Sequence, residues 1–189
     1  MGNAAKHKSN LIEAAIRLFR EQGYAATGLN QILAASGAPK GSLYHYFPGG
    51  KEELGATAVA LAGRVVTQTL KTLADRHQTT TEFVAAYTDL LSAWLEGSAY
   101  RSGCPIATTL LETVPESEAI TKVGSQAFAD WIEVVASVYE RDGLSSTQAE
   151  ERAEFTIAAV EGALLLSRVK GSTDPIRMLP RFVIQSASK

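Results

Sequence analysis

Apolar residues recur every three to four positions through most of this chain, and each recurrence is closed by a glycine, a proline or a short polar run. Leu11, Ile12, Ala15, Leu18 and Phe19 fall on one face of a helix that Gly23 ends. Thr27 precedes the next apolar set, Ile32, Leu33 and Ala35, where its hydroxyl can accept a backbone N–H as an N-cap. Asn30 then stands in place of the Glu or Gln of a full capping box. Gly37 closes that helix in a tight turn that needs a left-handed residue. A third helix opens with Pro39 and places Leu43 and Phe47, four apart, on an inward face.

After Pro48-Gly49-Gly50 the pattern predicts a long helix from Lys51 to Arg76. The polar run His77 to Thr81 breaks it, and Thr80 or Thr81 is the expected N-cap of a helix reaching Glu96. Gly97 to Gly103 reads as a loop, and a helix from Pro105 to Val114 follows. Pro115-Glu116-Ser117 restarts the chain into a helix ending near Asp142-Gly143, and the next runs from Ser145-Ser146 to Lys170-Gly171. The last begins near Asp174-Pro175 and continues to the C-terminus. No segment alternates with the period of a strand, and no internal repeat or low-complexity tract appears.

Two short helices joined at Gly37 have the layout of a helix-turn-helix. Small and polar residues open the second of them, at Lys40, Gly41 and Ser42, and Tyr44, His45 and Tyr46 follow with ring surface and hydrogen-bonding tips. Such a helix suits a DNA major groove better than an enzyme pocket. Charge agrees once it is divided along the chain. Residues 1–51 hold six basic side chains (Lys6, Lys8, Arg17, Arg20, Lys40, Lys51) against two acidic (Glu13, Glu21), a balance of +4. The remainder holds twelve basic and eighteen acidic, a balance of −6, which together with the head gives the net −2 of the chain. Phosphate neutralisation needs local positive charge, so the asymmetry points to the N-terminal end.

The run from Leu11 to Leu54 resembles the DNA-binding domain of TetR-type transcriptional regulators. The resemblance is carried by Ala14 to Tyr24, Thr27, Ile32 to Phe47 and Lys51-Glu52-Glu53-Leu54, whose order and spacing match as well as their types. The Pro48-Gly49-Gly50 connection is one residue longer than is commonest in that family, and Gly28 stands where Thr or Ser is more usual. The resemblance implies an all-α fold of about nine helices. An N-terminal three-helix head (residues 1–50) would be joined by a long helix to an effector-binding and dimerisation body (residues 51–189). It places Lys40, Ser42, Tyr44 and His45 at groove-facing positions and Thr27, Tyr46 and Lys51 at phosphate-contacting ones. Gly41 adds close backbone approach, and Lys51 lies near a helix N-terminus, where backbone donors favour an anion.

Beyond the head, Gly103-Cys104-Pro105-Ile106-Ala107 and Leu110-Leu111-Glu112 resemble the effector-domain helix of the LmrA/YxaF-like branch. That branch implies a hydrophobic or aromatic effector and control of an exporter or detoxification gene. Tyr87, Trp94, Phe128 and Trp131 are the expected pocket aromatics, since rings give large apolar contact with a polar tip. Phe155, Ala158, Ala159, Gly162, Ala163, Leu166 and Val169 form a stripe of small and apolar residues. Of these, Phe155, Ala159, Gly162, Ala163 and Leu166 are the expected dimer contacts, because the last two helices of TetR-like subunits form a four-helix interface. A two-fold dimer would read a near-palindromic operator and act as a repressor released by its effector.

The remaining composition bounds this picture without changing it. An apolar share of 46% permits a sizeable core, and the single cysteine, Cys104, excludes an internal disulfide and is expected as an inert packed thiol. No secretory signal or membrane-spanning run is read, so a cytoplasmic location with no membrane partner is expected. The histidines, His7, His45 and His77, share no ligand spacing, and Gly49-Gly50-Lys51 lacks the upstream glycine and strand of a phosphate loop. No enzyme activity, cofactor or metal is therefore expected. The alternative is a helical small-molecule-binding protein or enzyme without DNA-binding activity, against which Lys40, Tyr44, Tyr46 and Lys51 argue.

Overall fold

The computed structural model describes residues 3–184, and the continuation of the last helix beyond Ile184 that the sequence predicts lies outside them. Among the described residues the chain is all-helical: α1 (Asn3–Gln22), α2 (Leu29–Ser36), α3 (Ser42–Tyr46), α4 (Gly50–Arg76) and α5 (Thr80–Gly97). These are followed by α6 (Ala107–Thr113), α7 (Glu118–Arg141), α8 (Ser146–Lys170), α9 (Asp174–Arg177) and α10 (Leu179–Ile184). The last two are the halves of the single helix expected after Asp174. Pro180 explains the interruption: within one continuous helix it would leave the Ile176 carbonyl without its N–H donor, and its ring would press on that carbonyl.

Several boundaries differ from the sequence reading, each for a local reason. Gly28, not Thr27, is the N-cap of α2, and the Gly28 N–H donates to Gln31 Oε1 at 3.3 Å. The third helix begins at Ser42 rather than Pro39. The Pro39 carbonyl accepts both the Ser42 N–H (2.9 Å) and the Ser42 hydroxyl (2.6 Å), which closes a turn and leaves Lys40 and Gly41 inside it. Thr79, rather than Thr80 or Thr81, caps α5. Its hydroxyl accepts the Glu82 N–H at 3.2 Å while the Glu82 carboxylate accepts the Thr79 N–H at 3.3 Å, a reciprocal capping box. Thr80 is instead buried, with its N–H donating to Asp142 at 2.8 Å.

The chain forms two compact units. One comprises Met1–Arg64 with Cys104–Gln126, the other Val65–Gly103 with Ala127–Lys189. In the first, α1 packs on α2, α3 and α6. Its core gathers Leu11, Ala15 and Phe19 of α1, Ile32 of α2, Leu43 of α3, Phe47, and Leu54 and Ala58 of α4.

In the second unit α5 and α8 pack against α9 and α10, with Phe83, Leu95, Trp131, Val138, Tyr139, Ala153 and Ile176 among its buried residues. Tyr139 and Thr156 share a buried hydroxyl–hydroxyl hydrogen bond of 2.9 Å, which satisfies both polar tips inside the core. Arg141 donates to the Ala74 carbonyl at 2.9 Å and the His77 carbonyl at 3.4 Å, a cation placed at the C-terminal end of α4. The loop before α6 holds Ala99 and Tyr100 in left-handed backbone (φ 49° and 59°). Arg168 of α8 braces it by donating to the carbonyls of Tyr100 (3.3 Å) and Arg101 (3.0 Å).

Candidate nucleic-acid interface

The five residues of α3 are too few to form a stable helix alone, so packing must hold them. Leu43 and Phe47 do this, both buried against α1, α2 and α4 side chains. Because they point inward, the residues between them point out. Tyr44 is 64% exposed, His45 is exposed, and Tyr46 is half-buried with its ring packed edge-on to His45 at 4.9 Å. The turn ahead of α3 is equally constrained. Gly37 caps α2 in left-handed backbone (φ 64°), as expected from the sequence. Asn10 of α1 donates to the Ser36 carbonyl at 3.2 Å, and the Ala38 N–H donates to Ser36 Oγ at 3.2 Å. Lys40 and Gly41 are exposed in that turn and Ser42 partly so, and space is open where a Gly41 Cβ would lie.

Lys40, Gly41, Ser42, Tyr44, His45 and Tyr46 thus occupy one continuous stretch of turn and short helix. Lys51, in the first turn of α4, meets a second set of groups. Its ammonium lies 4.4 Å from the Tyr24 ring centroid and donates to the Ala25 carbonyl at 3.4 Å. Partial burial lowers its pKa, and the nearby Glu112 carboxylate opposes that shift. Lys8 of α1, which the sequence reading left unassigned, is exposed with its ammonium 5.6 Å from the Phe47 ring at the end of α3.

Thr27 does not belong to this surface. It is fully buried, its hydroxyl donates to the Gly23 carbonyl at 2.6 Å and accepts from Gln22 at 3.1 Å, and it braces the turn from α1 to α2. A buried, twice-bonded hydroxyl has no free face for a phosphate.

The residues expected to line an effector pocket lie in the second unit. Tyr87 and Trp131 are buried, Phe128 is half-buried, and Trp94 is 42% exposed. Phe128 and Trp131 stack edge-to-face at 5.1 Å, while Tyr87 pairs with Phe83 at 6.2 Å. An open groove of about 560 Å³ lies elsewhere in that unit, between α7 and the start of α8, lined by Ile132, Ala136, Glu133, Glu140, Glu150 and Glu154 among others. None of the four aromatics lines it.

On α8 the expected dimer contacts divide. Phe155 (56% exposed), Gly162 and Leu166 (51%) face outward, and Ala159 is half-buried. Ala163 is a correction: it is buried beside Val160 and Leu164 in the sequence of inward positions and belongs to the protomer core. Leu165 and Val169 extend the exposed apolar face, and Met178 and Phe182 are also exposed beyond α8.

Among the described residues no helix is long and apolar enough to cross a membrane, and no cluster of three or more His, Cys, Asp or Glu side chains is arranged to hold a metal. Cys104 is buried.

Comparison with known proteins places this geometry. Residues 11–56 match the bacterial regulatory proteins of the tetR family, and residues 80–181 match the C-terminal domain of LmrA/YxaF-like transcriptional regulators. The chain is 31% identical over 179 residues to the uncharacterized HTH-type transcriptional regulator YxaF of Bacillus subtilis, covering 95% of this chain and 94% of the relative. It is 34% identical over 169 residues to the HTH-type transcriptional regulator LmrA of the same organism, covering 89% and 90%. A solved regulatory protein TetR from Rhodobacter sphaeroides shares the fold, with a TM-score of 0.84 at 22% identity over 94% of this chain and 96% of that one. An N-terminal helix-turn-helix with an outward-facing α3, followed by an LmrA/YxaF-like body, makes this chain a DNA-binding transcriptional regulator of the TetR family rather than an enzyme.

Proposed function

We propose that this regulator is a repressor that binds a near-palindromic operator as a homodimer and leaves it when a small hydrophobic or aromatic effector binds. The observation that carries the reading is the division of α3 into buried anchors, Leu43 and Phe47, and an exposed face, Tyr44 and His45. A short helix fixed from behind and bare in front is what insertion into a major groove requires. Lys40, Ser42, Tyr44 and His45 face the groove, with Gly41 allowing close approach. Tyr46 and Lys51 take phosphates, and Thr27 acts behind them as a brace.

The exposed apolar face of α8, Phe155, Gly162, Leu165, Leu166 and Val169, supports dimerisation, since so much clustered apolar surface is costly to leave in water. A two-fold dimer presents two α3 helices to successive major grooves and excludes other proteins from the promoter. The aromatic pair Phe128 and Trp131, with Tyr87 and Trp94 in the same unit, supports an aromatic effector, and the regulated gene would encode an exporter or a detoxifying enzyme. Effector binding then shifts the population toward a form whose heads no longer match the half-site spacing.

The test is to compare variants on an operator recovered by selection from duplex fragments. Ser42→Ala and His45→Ala should change which sequence is preferred, whereas loss of the Lys51 charge should weaken all sequences alike. Uniform weakening by all three would overturn the division into base and phosphate contacts.

A further inference from the structure

One carboxylate outside the three-helix head reaches into it. Glu112 of α6 accepts the Ala25 N–H at 2.5 Å, in the turn between α1 and α2. The carbonyl of the same residue, Ala25, accepts the Lys51 ammonium. A single residue of the turn therefore carries an anion on its N–H and a cation on its C=O. Gly23 makes the approach possible. Its backbone is left-handed (φ +91°), and a Cβ there would collide with the Glu112 carboxylate. Ser117 and Glu52 separately join the start of α7 to α4 through a 2.5 Å hydrogen bond.

We propose that Glu112 is a positioning residue for DNA-backbone capture: its carboxylate pins the turn ahead of α2 and balances the Lys51 ammonium, so a phosphate must engage Lys51 against a resident negative charge. This rests on the reading of Lys51 as a phosphate ligand. The physical consequence is a head that binds DNA more weakly than its basic residues alone would allow. An adjacent like charge reduces the attraction of Lys51 for phosphate and the counterions released when it binds. The lowered Lys51 pKa, partly restored by Glu112, agrees with the two charges sensing each other.

Glu112→Gln is the informative variant because its amide keeps one carbonyl oxygen for the Ala25 N–H while removing the charge. Lys51 is assigned to the backbone, so a short duplex of arbitrary sequence serves as the probe for the full chain. At low salt, Glu112→Gln should bind roughly two- to fivefold tighter, the range of an exposed charge pair, and the gain should shrink as salt rises. Lys51→Gln should weaken binding and reduce the salt slope by about one, and the Glu112→Gln gain should vanish in that background.

Hydrogen exchange at the Ala25 amide provides a second readout. It should quicken in Glu112→Ala but stay slow in Glu112→Gln. If Lys51→Gln leaves binding unchanged, the phosphate role of Lys51 falls and this inference falls with it. If Lys51→Gln weakens binding but Glu112→Gln gives no gain, or gives one that persists without Lys51, the inference fails while the DNA-binding surface stands. Unchanged Ala25 exchange in Glu112→Ala would overturn the pinning of the turn.

Discussion

Leu43 and Tyr44 are neighbours on α3 with opposite tasks, and truncating each to alanine should give opposite results. Leu43 is completely buried, and α3 is only five residues long, so Leu43 and Phe47 are what hold the helix in place. Removing a buried leucine side chain costs about 2–5 kcal/mol, transfer and cavity terms together. Little in α3 can collapse to fill the space, which favours the upper part of that range, about 3–5 kcal/mol. Tyr44, at 64% exposure, should change stability by no more than about 0.5 kcal/mol on truncation. Its loss should instead be seen on DNA. Removing one groove contact is worth about 1–3 kcal/mol, or roughly five- to 150-fold in operator affinity. Urea unfolding and operator titration of both variants separate the two effects. A Tyr44→Ala variant as unstable as Leu43→Ala would refute the orientation of α3, and one with unaltered operator affinity would refute its reading face.

Three further outcomes follow from particular contacts. Thr27→Val strips the hydroxyl bonded to the Gly23 carbonyl and should cost about 1–2 kcal/mol of stability while leaving the salt dependence of DNA binding unchanged, as measured by urea unfolding and titration across salt. The Glu82 carboxyl is held below its ordinary pKa by hydrogen bonds from the Thr79 N–H, first, and then the Thr79 hydroxyl. A depressed folded-state pKa gives stability that is present above the usual value of 4.5 and lost as pH falls through the lowered one, so melting curves between neutral and acidic pH should lose this contribution in Glu82→Gln. On α8, Leu166→Glu should yield a folded monomer by sedimentation. Ala163→Leu should instead overpack the protomer and lower stability by about 1–3 kcal/mol.

The sequence was legible where backbone chemistry leaves one choice. Gly37 and Gly171 end their helices in left-handed backbone, Ser145 caps α8, and the pair Leu43 and Phe47 faces inward as the spacing of four requires. The Thr79-to-Glu82 capping box was also present in the sequence, but the adjacent Thr80 and Thr81 offered rival caps. Thr27 was misread because a threonine before a helix suits an N-cap equally well in form; only the bond back to Gly23 shows its hydroxyl turned inward. The phase of α8 was harder. Its inward set, Ala149, Ala153, Ile157, Val160, Ala163 and Leu164, and its outward set, Phe155, Ala158, Gly162, Leu165, Leu166 and Val169, are both apolar. Glu150, Glu151 and Glu154 mark part of the outside, but beyond them the apolar residues on both sides leave nothing local to distinguish Gly162 from Ala163. Glu112 lies 87 residues from Ala25, a contact that no periodicity encodes.

The most direct test of the central claim, that the exposed face of α3 reads DNA in a two-fold assembly, is a binding selection from genomic fragments with the purified chain, repeated across salt concentrations. Enrichment of a short inverted repeat, with affinity falling steeply as salt rises, is the expected result. A folded chain that enriches no sequence, or whose binding ignores salt, would contradict it.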